Sequence, residues 1–576
     1  MTTQQNKVRL VGLIPALLLA IVTYFYALDS QYIPKNGDEN VYLHITRLTA
    51  ASGDYLPLQS QLDGMRNTKP PLLFWQGIAS SDGGKNWDLT ALRLPSVLYT
   101  LLTAGLLFFT AWRLTGQVAT GFTAALTFLA FFSTYRFGRP FLTNAAEVFW
   151  LCLPLFALLN WRASFQSRYR LPLLFGISIG MAFLYKSFAL GLPMTLVLAA
   201  WYWRERDFYL AVFFRRDALK IVLSISIAVA MFALWFALDP NPRAVWQEFV
   251  IGENAGKFDP HGGSYVAKLL WGGSSLWSYS AAFLSNAGLL TFVVIGVCVT
   301  AWQNRRRLSR EEQLLWLWIG AFFISFALPS QRSGRYLLAA MPALALLAAL
   351  NWQAISRKFF VATLVLAGLC LFGLAVLAAR LQSAIGDAHL YATGFWLLLF
   401  LTGALIAATL FLPRLTRDAV PLAGLLVLLS FAALLRPFDT QLAIYNAATQ
   451  AALQDRSVAV PCDFRASDER YQFLLPHTQL TAYHENLHLT VPQLAARYPF
   501  FAVQIPLNQD VRTSLCADCK IIGQRLDIRG RQSSAELKEM LLHGKFFEYL
   551  FVREVLLQST ATVSNLPALT LAEQCR

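Results

Sequence analysis

Leu184-Tyr185-Lys186-Ser187-Phe188 interrupts an apolar run that extends from Leu171 to Trp203. How this stretch is divided decides the fold. A membrane-spanning helix takes about 20 apolar residues, fewer where protein shields it. Split at Lys186, the run gives two spans, 171–185 and 187–203. The charges elsewhere favour the split, because Lys and Arg collect in the cytoplasmic loops of membrane proteins. With the N-terminus inside, the inside loops hold Arg113; Arg162, Arg168 and Arg170; then Arg204, Arg206, Arg215, Arg216 and Lys220. Further on they hold Arg305, Arg306, Arg307 and Arg310; Arg357 and Lys358; then Arg414 and Arg417. Every inside loop is basic, and shifting the count by one span within 171–203 breaks the alternation downstream.

Working outward, the other spans fall at 9–28, 92–112, 117–134, 145–161, 219–238, 281–302, 313–328, 336–354, 359–379, 394–412 and 418–436. The total is thirteen, which puts the C-terminus outside. The first span follows Lys7 and Arg9 as a signal peptide would. Its length and the lack of a small-residue cleavage site make it a retained helix. Composition agrees. The 576 residues are 56% hydrophobic and 14% charged, against about 25% charged in soluble domains. The net charge of +15 is explained by the inside loops, so nucleic-acid binding is excluded. The expected fold is a polytopic α-helical membrane protein with a C-terminal α/β domain. Residues 1–438 form the membrane part, with long outside loops at 29–91 and 239–280. Residues 439–576 form a soluble outside domain. Strands are expected at 458–461, 500–505, 520–528 and 547–554, and a helix at 533–543.

The outside loops hold the residues that can carry chemistry. Asn36-Gly37-Asp38-Glu39-Asn40-Val41-Tyr42 follows a Pro34–Gly37 turn and opens an expected helix, Glu39 to Ser52. Val41, Ile45 and Leu48 lie at helical spacing, so this helix lies in the membrane interface or packs on protein. Asp38 and Glu39 either cap it or act on substrate. Lys69 precedes two prolines, which stiffen its backbone; it suits a phosphate or a lipid headgroup. Lys186 either serves function at membrane depth or snorkels to the surface. Arg139 and Glu147 read as a functional pair or a structural salt bridge. In the second loop, Glu253, Asp259 and His261 can bind a divalent metal, or His261 can donate to substrate. Arg332 and Arg335, beside Tyr336, run against the positive-inside trend and suit an anionic ligand or lipid headgroups.

Seven cysteines divide by place. Cys152, Cys298 and Cys370 fall in spans and pack as small apolar groups. Cys462, Cys516, Cys519 and Cys575 fall in the terminal domain and suggest two disulfides in an oxidising compartment. Cys516-Ala517-Asp518-Cys519 also reads as a redox or zinc pair.

Several motifs together resemble the GT-C multispanning glycosyltransferases, in the bacterial branch of aminoarabinose transferases acting on lipid A and relatives of the protein O-mannosyltransferases. They are Gly37-Asp38-Glu39 with Tyr42; Lys69-Pro70-Pro71-Leu72 with Trp75; Leu184-Tyr185-Lys186 with Gly191 and Pro193; Glu253-Asn254 with His261; and Arg332 to Tyr336 followed by Pro342. The resemblance implies a GT-C fold in the bacterial inner membrane with a periplasmic active site and periplasmic C-terminal domain. It implies an inverting transfer from a polyprenyl-phosphate sugar to a lipid, glycan or protein acceptor. Asp38 is then the catalytic carboxylate. Lys69, Lys186, Arg332 and Arg335 hold the donor phosphate, and Glu39, Tyr42, Glu253, His261 and Tyr336 complete the substrate site. Three positions depart from the aminoarabinose pattern: Val41 replaces an arginine, Thr68 a glutamate and Asn144 an aspartate. A flippase or a glycan ligase for a lipid-linked sugar is the competing function. Transporters, however, place their sites near the membrane midplane.

Overall fold

The computed structural model describes residues 3–33, 37–161, 167–258, 264–507, 509, 516, 519–529, 532–560 and 569–576. Pro34, Asn36, Arg162, Asp259 and His261, all singled out above, lie outside them.

The break at Lys186 is real. The helix Arg170–Tyr185 ends there, with the Lys186 N–H still bonded to the Ala182 carbonyl at 3.0 Å. Ser187 is extended, and its hydroxyl accepts from the Ala189 N–H at 3.1 Å, starting the short turn Phe188–Leu190. The helix Gly191–Arg204 follows.

Among the described residues, five helices are long and apolar enough to cross a membrane: Leu89–Thr115, Ala218–Leu238, Arg357–Ile385, Thr393–Phe411 and Thr416–Leu442. The number rises to seven if two bent pairs each count as one span. Shorter apolar helices include Ile14–Phe25, Asn144–Asn160 and Arg170–Tyr185. Local chemistry sets several ends. The Asp88 carboxylate accepts from the Ala91 N–H and starts Leu89–Thr115, and left-handed Gly116 stops it. Leu369, Phe372, Phe400 and Phe411 are exposed on the outer helices, an apolar face suited to lipid.

Two expected spans are not straight. The 117–134 segment divides at Phe131 into Val118–Ala130 and Phe132–Gly138, bent by 66°. The 281–302 segment bends by 106° between Leu276–Asn286 and Gly288–Gln303. Gly288 sits at the second bend with φ +60°, and a Cβ there would meet that of Phe132 at 2.4 Å. Hydropathy records neither bend, because it averages along the chain and carries no direction.

The C-terminal sheet has five strands: β1 (Ser457–Cys462), β2 (Gln479–His484), β3 (Phe500–Pro506), β4 (Cys519–Ile528) and β5 (Phe551–Ser559). Their order is β2-β1-β3-β5-β4. β1 pairs in parallel with β2 and β3, and β5 pairs antiparallel with β3 and β4. The helix Ser534–His543 begins with a capping box of Ser533 and Glu536. Two expectations need correction. β2 is an additional strand, and the strand expected at 547–554 is β5 starting later, at Phe551, after the short helix Phe546–Leu550. Phe551 stacks on Phe438, next to the Thr416–Pro437 helix, which fixes where the strand starts.

The sheet docks on the first loop through buried charge. Arg525 donates to Glu554 at 2.7 Å and to Asp527 at 3.2 Å. Arg470 donates to Asp527 at 2.7 Å, as does the Tyr32 hydroxyl. Cys462 is bonded to Cys575, and Cys516 to Cys519.

Candidate active site

The first-loop helix spans Gly37–Ser52, with Asp38 and Glu39 in its first turn, where the helix dipole favours acids. It packs on protein along much of its length, with Val41, Tyr42, Leu43, His44 and Ile45 buried. Its neighbour Leu72–Ser80 approaches closely at Gly77, where a Cβ would meet Phe141 at 2.6 Å and Thr46 at 2.9 Å.

The two acids face different ways. Glu39 has a side chain 5% exposed, and Arg93 donates to both its oxygens at 2.7 Å. The Phe141 N–H adds a third bond at 2.7 Å. These bonds make Glu39 a structural brace. Asp38 is 43% exposed, and Arg335 Nη1 lies 2.5 Å from its Oδ2. Arg335 comes from the turn Gly334–Ala340, which Ser333 caps. Tyr42, one turn beyond Asp38, is buried against Phe74. Burial and then the Asp38 charge push its phenol above the usual range, although Arg335 opposes them.

Three lysines complete the group. Lys69 Nζ lies 2.6 Å from Glu253 Oε1, and Lys257 Nζ lies 3.0 Å from the same oxygen. Lys186 Nζ lies 2.6 Å from Glu147 Oε2. Tyr336 sits between two of them, its ring centre 5.7 Å from Lys186 and 5.8 Å from Lys257. Arg335 and Lys69 act electrostatically on Lys186. Burial tends to raise the Glu253 carboxyl pKa, but Lys69 and Lys257 outweigh it and hold the group below the usual carboxylate range. The Ser187 hydroxyl donates to Asn254 at 2.6 Å, tying this loop to the break at Lys186.

Four cations, Lys69, Lys186, Lys257 and Arg335, thus face three carboxylates, Asp38, Glu147 and Glu253. Among the described residues of this cluster the cations outnumber the carboxylates by one, which suits an anion.

The structure gathers Asp38, Tyr42, Lys69, Lys186, Glu253, Arg335 and Tyr336 from distant stretches. It does not bring Arg332 with them. Arg332 donates to the carbonyls of Ala327 at 2.6 Å and Ser274 at 2.8 Å, so it ties loops together. Arg139 and Glu147 do not pair as expected. Arg139 donates to the carbonyls of Tyr24 and Tyr26, while Glu147 serves Lys186. Lys257 had no assigned role in the sequence reading, although its i,i+4 spacing from Glu253 was a usable signal. Among the described residues no group of three His, Cys, Asp or Glu is placed to hold a metal ion; Asp259 and His261 of the candidate metal set lie outside them, and Glu253 is bound by Lys69 and Lys257.

Residues 35–246 match the family model of dolichyl-phosphate-mannose-protein mannosyltransferase. Undecaprenyl phosphate-alpha-4-amino-4-deoxy-L-arabinose arabinosyl transferase of Aeromonas hydrophila is 26% identical over 57% of this chain and 58% of its own. The second such transferase of Proteus mirabilis is 25% identical over 62% of each. The chain thus spans about three-fifths of the length of these relatives. The crystal structure of ArnT from Cupriavidus metallidurans bound to undecaprenyl phosphate superposes with a TM-score of 0.61, covering 96% of this chain and 99% of that one at 17% identity. The overall fold is shared, and the motif-based resemblance to GT-C glycosyltransferases stands.

Proposed function

We propose that this GT-C-fold chain is an inverting glycosyltransferase, moving a sugar from an undecaprenyl phosphate donor to lipid A or another surface glycoconjugate. The observation that carries this reading is the Asp38–Arg335 pair beside Lys69, Lys186 and Lys257, gathered from distant stretches of the chain. Its setting is the bacterial inner membrane, with the N-terminus cytoplasmic. The two long loops and residues 439–576 lie on the periplasmic side, as the basic inside loops and a thirteen-span count support.

The donor phosphate lies among Lys69, Lys257 and Lys186, with Tyr336 between the cations. Asp38 takes the proton of an acceptor hydroxyl as its oxygen attacks the anomeric carbon. The bond from that carbon to the phosphate oxygen breaks, inverting the centre, and the lipid phosphate leaves with one more negative charge. The cations are already in place to stabilise that charge. Where the acceptor is a phosphate, little proton removal is needed, and Asp38 acts by position and charge. The relatives' names favour an aminoarabinose donor. Val41, where the aminoarabinose pattern has arginine, removes one phosphate contact, and Lys257 supplies a cation nearby.

Purified protein in lipid vesicles, given synthetic undecaprenyl-phosphate sugars and lipid A, tests the reading. Transfer in the wild type and its loss in Asp38→Asn are expected. Retained transfer by Asp38→Asn overturns the assignment of Asp38. Movement of labelled donor across the vesicle without transfer overturns the reading itself in favour of a flippase.

A further inference from the structure

The helix that carries Asp38 is also gripped by the C-terminal sheet region. Glu469 lies in the turn Ser467–Arg470, with its side chain 1% exposed. Its Oε1 lies 2.5 Å from His44 Nδ1 and 2.6 Å from Arg47 Nη2, and its Oε2 accepts from Arg47 Nε at 3.0 Å. The Gln61 N–H donates to His44 Nε2 at 3.1 Å, which leaves His44 Nδ1 to donate to Glu469. His44 and Arg47 both belong to the Gly37–Ser52 helix. Phe464 touches that helix at its start, where a Cβ on Gly37 would lie 3.4 Å from the ring.

The segment bearing Glu469 is braced in turn. The Cys462–Cys575 disulfide closes behind it, and the Ala466 N–H donates to the Cys575 carbonyl at 3.2 Å. Arg576 donates to both oxygens of buried Asp468, at 2.9 and 2.5 Å. The proposed chemistry uses none of these groups.

We propose that Glu469 is a positioning residue for the transfer. It acts through His44 and Arg47 to set the helix that presents Asp38 to Arg335, and the Cys575–Arg576 segment holds Glu469 in place. This rests on the transferase reading. The Glu39–Arg93 pair holds the first turn of this packed helix. The grip at Arg47, about two turns on, adds a second charged anchor from the C-terminal region. Displacement of a reacting group by about 1 Å costs on the order of 100-fold in rate, so the grip has kinetic weight without touching substrate.

The test is Glu469→Gln in the full chain, in nanodiscs. Amides in 37–48 are expected to exchange with deuterium at least about tenfold faster, while those in 89–115 keep wild-type rates. The kcat for transfer falls about 10–100-fold, with the donor KM within about threefold. Unchanged exchange, or a raised KM with kcat intact, overturns the proposal. Exchange needs no turnover. A wild type that transfers no sugar therefore counts against the transferase reading, while exchange still decides whether Glu469 sets the helix. If Glu469→Gln does not fold, the double variant Cys462→Ser, Cys575→Ser is expected to loosen 37–48 in the same pattern. Wild-type exchange and kcat in that variant overturn the role of the brace.

Discussion

Asp38 and Arg335 meet at 2.5 Å across 297 positions of sequence. Arg335 holds the carboxylate toward the lysine cluster and lies 20% exposed at its edge. Arg335→Gln is expected to lower kcat on the order of 100-fold, the cost of displacing the reacting carboxylate that Arg335 holds. Arg335→Lys should restore little, because an ammonium lacks the planar fork of the guanidinium. Steady-state transfer assays on both variants check this.

Lys69 and Lys257 share one oxygen of Glu253. Removing either lysine is expected to weaken binding of undecaprenyl phosphate about 10- to 100-fold, the worth of one charge-assisted hydrogen bond. Glu253→Gln frees both cations, so it should bind the lipid phosphate more tightly and release it more slowly. Equilibrium binding of the lipid phosphate to the three variants gives the comparison.

Glu39 differs from its neighbour because its negative charge is buried against Arg93. Glu39→Gln leaves that guanidinium unpaired, and breaking a buried pair costs about 3–5 kcal/mol. A clear fall in unfolding temperature is expected. Asp38→Asn, at an exposed position, should leave that temperature near the wild-type value while abolishing transfer. Thermal unfolding in detergent separates the two acids.

Burial tends to raise the Glu469 carboxyl pKa, but the bonds from His44 and Arg47 outweigh it and hold the group down at about 2. A carboxyl whose folded value lies below its unfolded one contributes stability that is fully present above the unfolded value, near the ordinary 4.5. That stability is lost as pH falls from there through the folded value. Wild type should therefore lose more stability between pH 5 and pH 3 than Glu469→Gln, which has no proton to take up. Unfolding temperatures of both proteins across that range test the sign.

The apolar helical character and the helix end at Lys186 were legible because apolar runs and single interrupting charges are local signals. Lys186 marked a helix end because a lysine that interrupts an apolar run needs a partner, and Glu147 supplies it. Asp38 and Glu39 stood out by position, but their division of labour did not. It depends on Arg93 and Arg335, which sequence does not place. Arg332 was read as Arg335's equal, and only the carbonyls of Ala327 and Ser274 show it tying loops together. The bends at Phe131 and Gly288 escaped because hydropathy averages over direction. β2 escaped because Gln479–His484 mixes polar and apolar residues and gains its strand character by pairing with β1.

By itself, the sequence determined the membrane-spanning character, the division at Lys186, the C-terminal sheet region and the short list of polar residues around Asp38. Each follows from composition or spacing over a few neighbouring residues. The tertiary structure alone decided which charges pair: Lys69 with Glu253, Lys186 with Glu147, Arg335 with Asp38 and Glu469 with His44 and Arg47. The reason is that electrostatic energy depends on separation in space. These partners lie between 39 and 425 positions apart along the chain.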